Sequence, residues 1–172
     1  MQGTKGMKNG IFLLLGSNQG NPADRLADAA ERIGQNAGRI LTRSSLYRTE
    51  AWGMQDQPEF YNQVLKVQSS WNPQRLLEKL LAIEESMGRV RVQKWGPRII
   101  DIDLLFYHQR VIDTPDLQVP HPGIPQRKFT LLPLSEIAPD FVHPVSGKSI
   151  ATLLKECRDP LLVERVASPS IP

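Results

Sequence analysis

The dipeptide Asn-Pro occurs twice in this chain, at Asn21-Pro22 and Asn72-Pro73, and each time it opens a helix-period run after a strand-like one. Asparagine is a strong helix N-cap, and proline suits the first helical position. A first helix should therefore run from Asn21 to about Asn36, with Leu26, Ala29, Ala30 and Ile33 on one stripe. A second carries Leu76, Leu77, Leu80, Leu81, Ile83 and Met87 and stops at Gly88, a residue suited to the position just past a helix. Ahead of the first helix, residues 11–15 read as a buried strand halted by Gly16. Residues 40–49 and 60–68 alternate in polarity as strands, with Phe60, Asn62, Val64 and Lys66 on one face of the latter. Residues 99–107 form a further strand. Short helices are expected near residues 130–137 and 150–156, in an otherwise irregular, Pro-rich stretch.

The order strand, helix, strand, strand, helix, strand predicts an α+β, ferredoxin-like βαββαβ fold. Its sheet should be mainly antiparallel, with helices packed on one face and long active-site loops over the other. At 172 residues, with 40% apolar and 23% charged residues, the chain reads as one globular domain over residues 11–166. Residues 1–10 are expected to be a flexible leader, with Met7 a possible alternative start, and residues 167–172 a loose tail. A single Cys157 excludes an intrachain disulfide and a cysteine-built zinc site. No apolar run approaches the roughly 20 residues of a membrane span, and residues 11–15 are too few for a signal-peptide core. Cytoplasmic residence without a membrane partner is the resulting expectation. The formal charge of +3 and the pI near 9.2 suit an anionic ligand.

The chemistry concentrates in residues 94–105, Lys-Trp-Gly-Pro-Arg-Ile-Ile-Asp-Ile-Asp-Leu-Leu. On a strand, Asp101 and Asp103 leave the same face, their Cα atoms roughly 6.5 Å apart by the rise per residue. Ile100, Ile102 and Leu104 take the opposite face. An Asp-x-Asp pair can be a solvated face, but a hard divalent cation would relieve the repulsion of two such acids. Between Ser86 and Ile100 stand Arg89, Arg91, Lys94 and Arg98 with no acid among them. A one-sign cluster beside two carboxylates suggests a polyphosphate with its metals in between. Trp95, before Gly96, reads either as a core anchor or as part of a lid over residues 89–95.

Other candidates keep two readings each. Gly16-Ser17-Asn18-Gln19-Gly20 reads as a strand-to-helix turn more readily than as a phosphate loop, which it resembles in composition but whose terminal Gly-Lys-Ser/Thr it lacks. Phe60 and Phe129 are either core residues or plates around a flat heterocycle, and Asn62, polar on an apolar face, wants a hydrogen-bonding partner. His121 reads as a phosphate donor near Arg127 and Lys128 rather than a general base. His108 and His143 read as surface residues. Glu84 and Glu85 sit where the helix dipole disfavours acids, so one of them should hold a basic residue or a ligand hydroxyl.

Residues 94–105 resemble the signature of the 6-hydroxymethyl-7,8-dihydropterin pyrophosphokinases. The likeness extends through residues 15–18, Ser44-Ser45-Leu46-Tyr47-Arg48-Thr49, residues 56–58, Phe60 with Asn62, residues 88–91, Val119-Pro120-His121-Pro122, Arg127 with Phe129, and residues 134–139. It spans roughly residues 10–157 and implies the ferredoxin-like fold, two Mg²⁺ ions, and ATP and a dihydropterin as substrates in folate synthesis. By resemblance Asp101 and Asp103 bind the metals, and Arg89 and Arg98 join them as catalytic residues on the transferring group. Glu84, Arg91, Trp95, Leu104, His121 and Arg127 fall on the ATP side. Thr49, Trp52, Phe60, Asn62 and Phe129 fall on the pterin side. A monomer with no nucleic-acid partner is expected. The rival reading, an RNA-binding ferredoxin-like module, requires a Gly-Phe-rich aromatic pattern on the central strands that this chain lacks. A regulatory small-molecule-binding domain would need no metal.

Overall fold

The computed structural model of the protein describes residues 6–49, 58–88 and 99–166. Strand β1 is Ile11–Ser17 and helix α1 Pro22–Asn36, followed by β2 Arg39–Arg43, β3 Tyr47–Thr49, β4 Phe60–Gln68 and helix α2 Pro73–Ser86. Then come β5 Asp101–Tyr107, a small hairpin of β6 Ile112–Asp113 and β7 Gln118–Val119, a 3₁₀ turn Ile124–Gln126, helices α3 Lys128–Ile137 and α4 Ile150–Glu156, and β8 Val163–Arg165. The main sheet runs β5-β1-β4-β3-β8, with β2 also paired to β4, and its strand pairs are antiparallel. This is the ferredoxin-like order.

Both Asn-Pro signals act as read: Asn21 accepts from the Asp24 N–H and Asn72 from the Arg75 N–H. Gly88 sits past α2 at φ +87°, where a side chain would be strained. All seven residues of β1 are buried, which explains its unbroken apolar run. One face of the sheet packs Ile11, Leu13 and Leu15 against Leu26 and Ile33 of α1 and Leu76 and Leu80 of α2.

The second face departs from expectation. It is not left to loops, because α3 and α4 cover part of it: Phe12, Leu14, Val64 and Phe106 pack with Leu131, Leu134, Ile150 and Leu153. A bulge between Phe12 and Leu13 in the β1–β5 register lets Leu105 and Phe106 both join this second core. The strand expected over residues 40–49 is interrupted at residues 44–46. There the Val64 N–H donates to Ser44 Oγ while the Ser44 N–H donates to the Val64 carbonyl. Strand β8 and the β6–β7 hairpin had no periodic signal to announce them.

Met7 and Gly10, in the stretch expected to be a leader, contact the rest of the fold. Met7 bridges Phe141, and Gly10 donates its N–H to His108 Nδ1 while its carbonyl accepts from the His108 N–H. His108 is exposed, as expected of a surface residue, whereas His143 is not. Buried His143 accepts the Val145 and Ser146 N–H groups at Nδ1 and meets Phe106 edge-on.

Candidate active site

The register of the sheet assembles the site. Tyr47 pairs with Asn62, Asn62 with Gly16, and Gly16 with Asp101, so one row crosses four strands. The adjacent same-face row is Val64, Leu14 and Asp103. Residues opposite one another on paired strands share a face. Asp101, Asp103, Asn62 and Phe60 thus lie on the sheet face that α3 and α4 partly cover. The apolar cover ends at Leu14 and Val64, and the next row is polar.

Gly16 is a notch in that row. A Cβ there would come within 2.7 Å of Asn62 Nδ2. Asn62 is only 5% exposed, its Nδ2 donates to the Leu15 carbonyl over a long 3.4 Å, and its Oδ1 has no hydrogen-bond partner among the described residues. A buried amide oxygen left without a donor is costly, so it calls for a ligand or a water. Phe60 and Phe129 are both half-buried, Phe129 against the second core. Thr49 is buried opposite Phe60 and donates its hydroxyl to the Leu162 carbonyl.

A cleft of about 260 Å³ lies along the outer edge of β5, between α2 and the β6–β7 hairpin, and Glu84, Asp101, Asp103, Leu104 and His121 all line it. Leu77 and Leu81 on α2 and Leu117 before β7 complete its apolar wall; the first two read only as part of a helix stripe, and Leu117 carried no signal at all. Glu84 is 3% exposed, and its Oε2 accepts the Ile102 N–H at 2.7 Å, at the edge of the sheet. Glu85 is exposed.

His121 runs alongside, its N–H on the Leu105 carbonyl. Its Nδ1 accepts the Gly123 N–H, which puts the ring proton on Nε2. Burial first, then the neighbouring Arg127 charge, push its pKa down to about 4 against an opposing pull from Asp101. It is a neutral N–H donor. Arg127 lies on the bare backbone of Gly123, where a Cβ would meet its guanidinium at 2.8 Å, and it sits 5.7 Å from the centroid of the Phe129 ring. Arg127 thereby adjoins both groups of candidates. Arg89, Arg91, Trp95 and Arg98, with the lid expected over residues 89–95, and Trp52 lie outside the described residues.

Asp101 and Asp103 are half-buried hard donors, and among the described residues no group of three or more His, Cys, Asp or Glu is placed to hold a metal ion. Two carboxylates suit Mg²⁺, which takes few protein ligands and fills its shell with water and phosphate oxygens.

A ferredoxin-like sheet that sets paired carboxylates in a cleft beside an amide-and-aromatic pocket fits an enzyme of phosphoryl transfer. The comparisons are more particular. The model of the 7,8-dihydro-6-hydroxymethylpterin-pyrophosphokinase family matches residues 12–139, and the chain belongs to that family, the ATP-dependent pyrophosphokinases of folate synthesis. It is 43% identical over 149 residues to the 2-amino-4-hydroxy-6-hydroxymethyldihydropteridine pyrophosphokinase of Synechocystis sp., covering 86% of this chain and 76% of that one. The protein of the same name from Methylorubrum extorquens is 42% identical over 90% of this chain and 97% of its own. The folic acid synthesis protein fol1 of Pneumocystis carinii is 42% identical over 87% of this chain, which spans only 20% of that protein's length. A crystal structure of Plasmodium falciparum HPPK-DHPS shares the fold at a TM-score of 0.66 and 19% identity, over 86% of this chain and 43% of that one.

Proposed function

We propose that the protein transfers the pyrophosphoryl group of ATP to the hydroxymethyl group of 6-hydroxymethyl-7,8-dihydropterin. The alcohol oxygen attacks the β-phosphorus, the bond from that phosphorus to the oxygen bridging toward the α-phosphate breaks, AMP leaves, and the hydroxyl proton is released. The observation that carries this reading is the polar row. The buried Asn62 amide, without a partner at Oδ1 among the described residues, stands beside the Gly16 notch and in one row with Asp101. An amide offers both a donor and an acceptor, as a pterin edge does.

ATP would lie in the cleft along β5, with Leu77, Leu81 and Leu104 as its apolar wall, Glu84 on the nucleoside side, and His121 and Arg127 toward the phosphates. Phe60 and Phe129 would enclose the pterin, and Thr49 and Trp52 would meet its edge. Asp101 and Asp103 would hold two Mg²⁺ ions, which supply neutralisation of the triphosphate charge. Arg89 and Arg98 are proposed to face the transferring group, and Arg91 and Trp95 the nucleotide. Transfer of this kind depends on positioning and charge neutralisation more than on covalent chemistry. Residues 11–166 are taken as the pyrophosphokinase domain. The proposed working form is a monomer, and the proposed location is the cytoplasm, in keeping with a single cysteine.

The test is AMP formation from ATP with and without dihydropterin, at saturating Mg²⁺ and in its absence. AMP appearing at the same rate without dihydropterin would overturn the assignment. Asp101→Asn and Asp103→Asn should each lower turnover by on the order of 10²–10³-fold or more, the scale of losing a dedicated charge-stabilising group. Their folds should remain intact. Near-normal turnover in either variant would remove that carboxylate from the metal site.

A further inference from the structure

Helix α3 carries Phe129 at its start but is poorly specified by its own sequence. Its N-cap, Arg127, makes no side-chain cap bond, and Pro133 stands inside it. Proline at that position lacks the N–H that would close onto the Phe129 carbonyl. The placement of this helix therefore depends on contacts from elsewhere. At its far end, Glu136 reaches the sheet: its Oε1 accepts the Tyr47 hydroxyl and its Oε2 the Ser45 N–H, both at 2.7 Å. Ser45 lies in the interruption between β2 and β3, so this N–H is not engaged in the β4 ladder. Tyr47 is 7% exposed and stands directly opposite Asn62 in the polar row. Burial and the bond to Glu136 push its pKa up to about 12, so the phenol stays a donor. One carboxylate thus joins the strand carrying the Asn62 partner to the helix carrying Phe129.

We propose that Tyr47 and Glu136 are positioning residues of the dihydropterin pocket, fixing α3 on β3 so that Phe129 is held over Asn62. This rests on the reading of Phe129 and Asn62 as pterin contacts. In Tyr47→Phe the ring packing survives and the tether loses its phenolic bond.

The experiment is a double-mutant cycle on dihydropterin affinity with Tyr47→Phe, Phe129→Ala and the double variant, alongside ATP affinity and kcat. Tyr47→Phe should weaken dihydropterin binding roughly tenfold, the scale of one hydrogen bond to a charged group. ATP affinity and kcat at saturation should stay within about twofold. In the Phe129→Ala background the same substitution should add less than about twofold, because coupled residues do not act additively. Glu136→Gln serves where Tyr47→Phe does not fold: its amide keeps an acceptor for Tyr47 but turns a donor toward the Ser45 N–H. Full additivity, or unchanged dihydropterin affinity in a folded variant alongside a weakened Phe129→Ala, overturns the positioning role. A tether that serves stability alone would lower the melting temperature and leave the affinity untouched. Unchanged affinity in Phe129→Ala itself defeats the pocket assignment, and the positioning role falls with it.

Discussion

Single atoms decide much of this site. Gly16 is required because any side chain would press on the Asn62 amide, at 2.7 Å from Nδ2. Gly16→Ala should weaken dihydropterin binding on the order of tenfold, the scale of displacing one buried hydrogen-bonding group, and leave ATP binding nearly unchanged. Calorimetric titration with each substrate checks this, and equal losses for both would point to a general distortion of β1. His143 illustrates a residue whose worth is set by burial. Its pKa is lowered by desolvation, so as pH falls the unfolded chain binds the proton before the folded one does. Its contribution to stability is present above about pH 6.5, the ordinary histidine value, and is lost as pH falls below it. His143→Asn keeps an acceptor for the Val145 and Ser146 N–H groups and removes the titration. Thermal melts across this range should show a shallower loss toward acid for the variant, and parallel curves would rule His143 out as a source.

At the scale of elements, α3 is held from both ends by distant residues. Glu136 anchors its last turn, and at its start the buried Asp159 accepts the Lys128 N–H at 3.0 Å and the Leu161 N–H with its other oxygen. The carboxylate substitutes for the missing N-cap and complements the positive end of the helix dipole. Asp159→Ala should destabilise the protein by about 1–2 kcal/mol, the usual range for a lost cap. A urea midpoint unchanged from that of the parent would show that α3 needs no cap there. The same C-terminal segment continues into β8, which pairs with β3, while Leu162 receives the Thr49 hydroxyl. The chain after α4 therefore links the start of α3 to the outer strand of the candidate pterin pocket.

The molecule as a whole has two cores on the two faces of one sheet. The second is organised by an aromatic trio in which Phe12 and Phe106 each lie within 5 Å of Phe141, at 4.9 and 4.7 Å between centroids. All three rings are fully buried. Phe106→Ala should lose about 3–5 kcal/mol of global stability, the usual range for a buried Phe truncated to Ala. The denaturant midpoint should fall with little change in slope. A loss below about 1 kcal/mol would mean that α3 and α4 can collapse onto the gap.

What could be read directly from the chain was whatever local chemistry enforces. Asn21-Pro22 and Asn72-Pro73 started helices because capping is a matter of adjacent residues, and the 3.6-residue stripe of α1 matched its buried face. Asp101 and Asp103 shared a face because a strand alternates, and Phe60 shared one with Asn62 for the same reason. That both faces were the same one depended on the register of β1 with β4 and β5, which no local pattern fixes. The break at residues 44–46 was hidden by an alternation that continues through it. The partners of Glu136, Asp159 and His143 were hidden because a buried polar residue is satisfied by whatever the fold brings near, and here Glu136 meets Tyr47 across 89 residues of chain. Periodicity carries information over a few residues. The sheet register and the packing of α3 and α4 join segments far apart in sequence, and only the tertiary structure could set Asn62, Gly16 and Asp101 in one row.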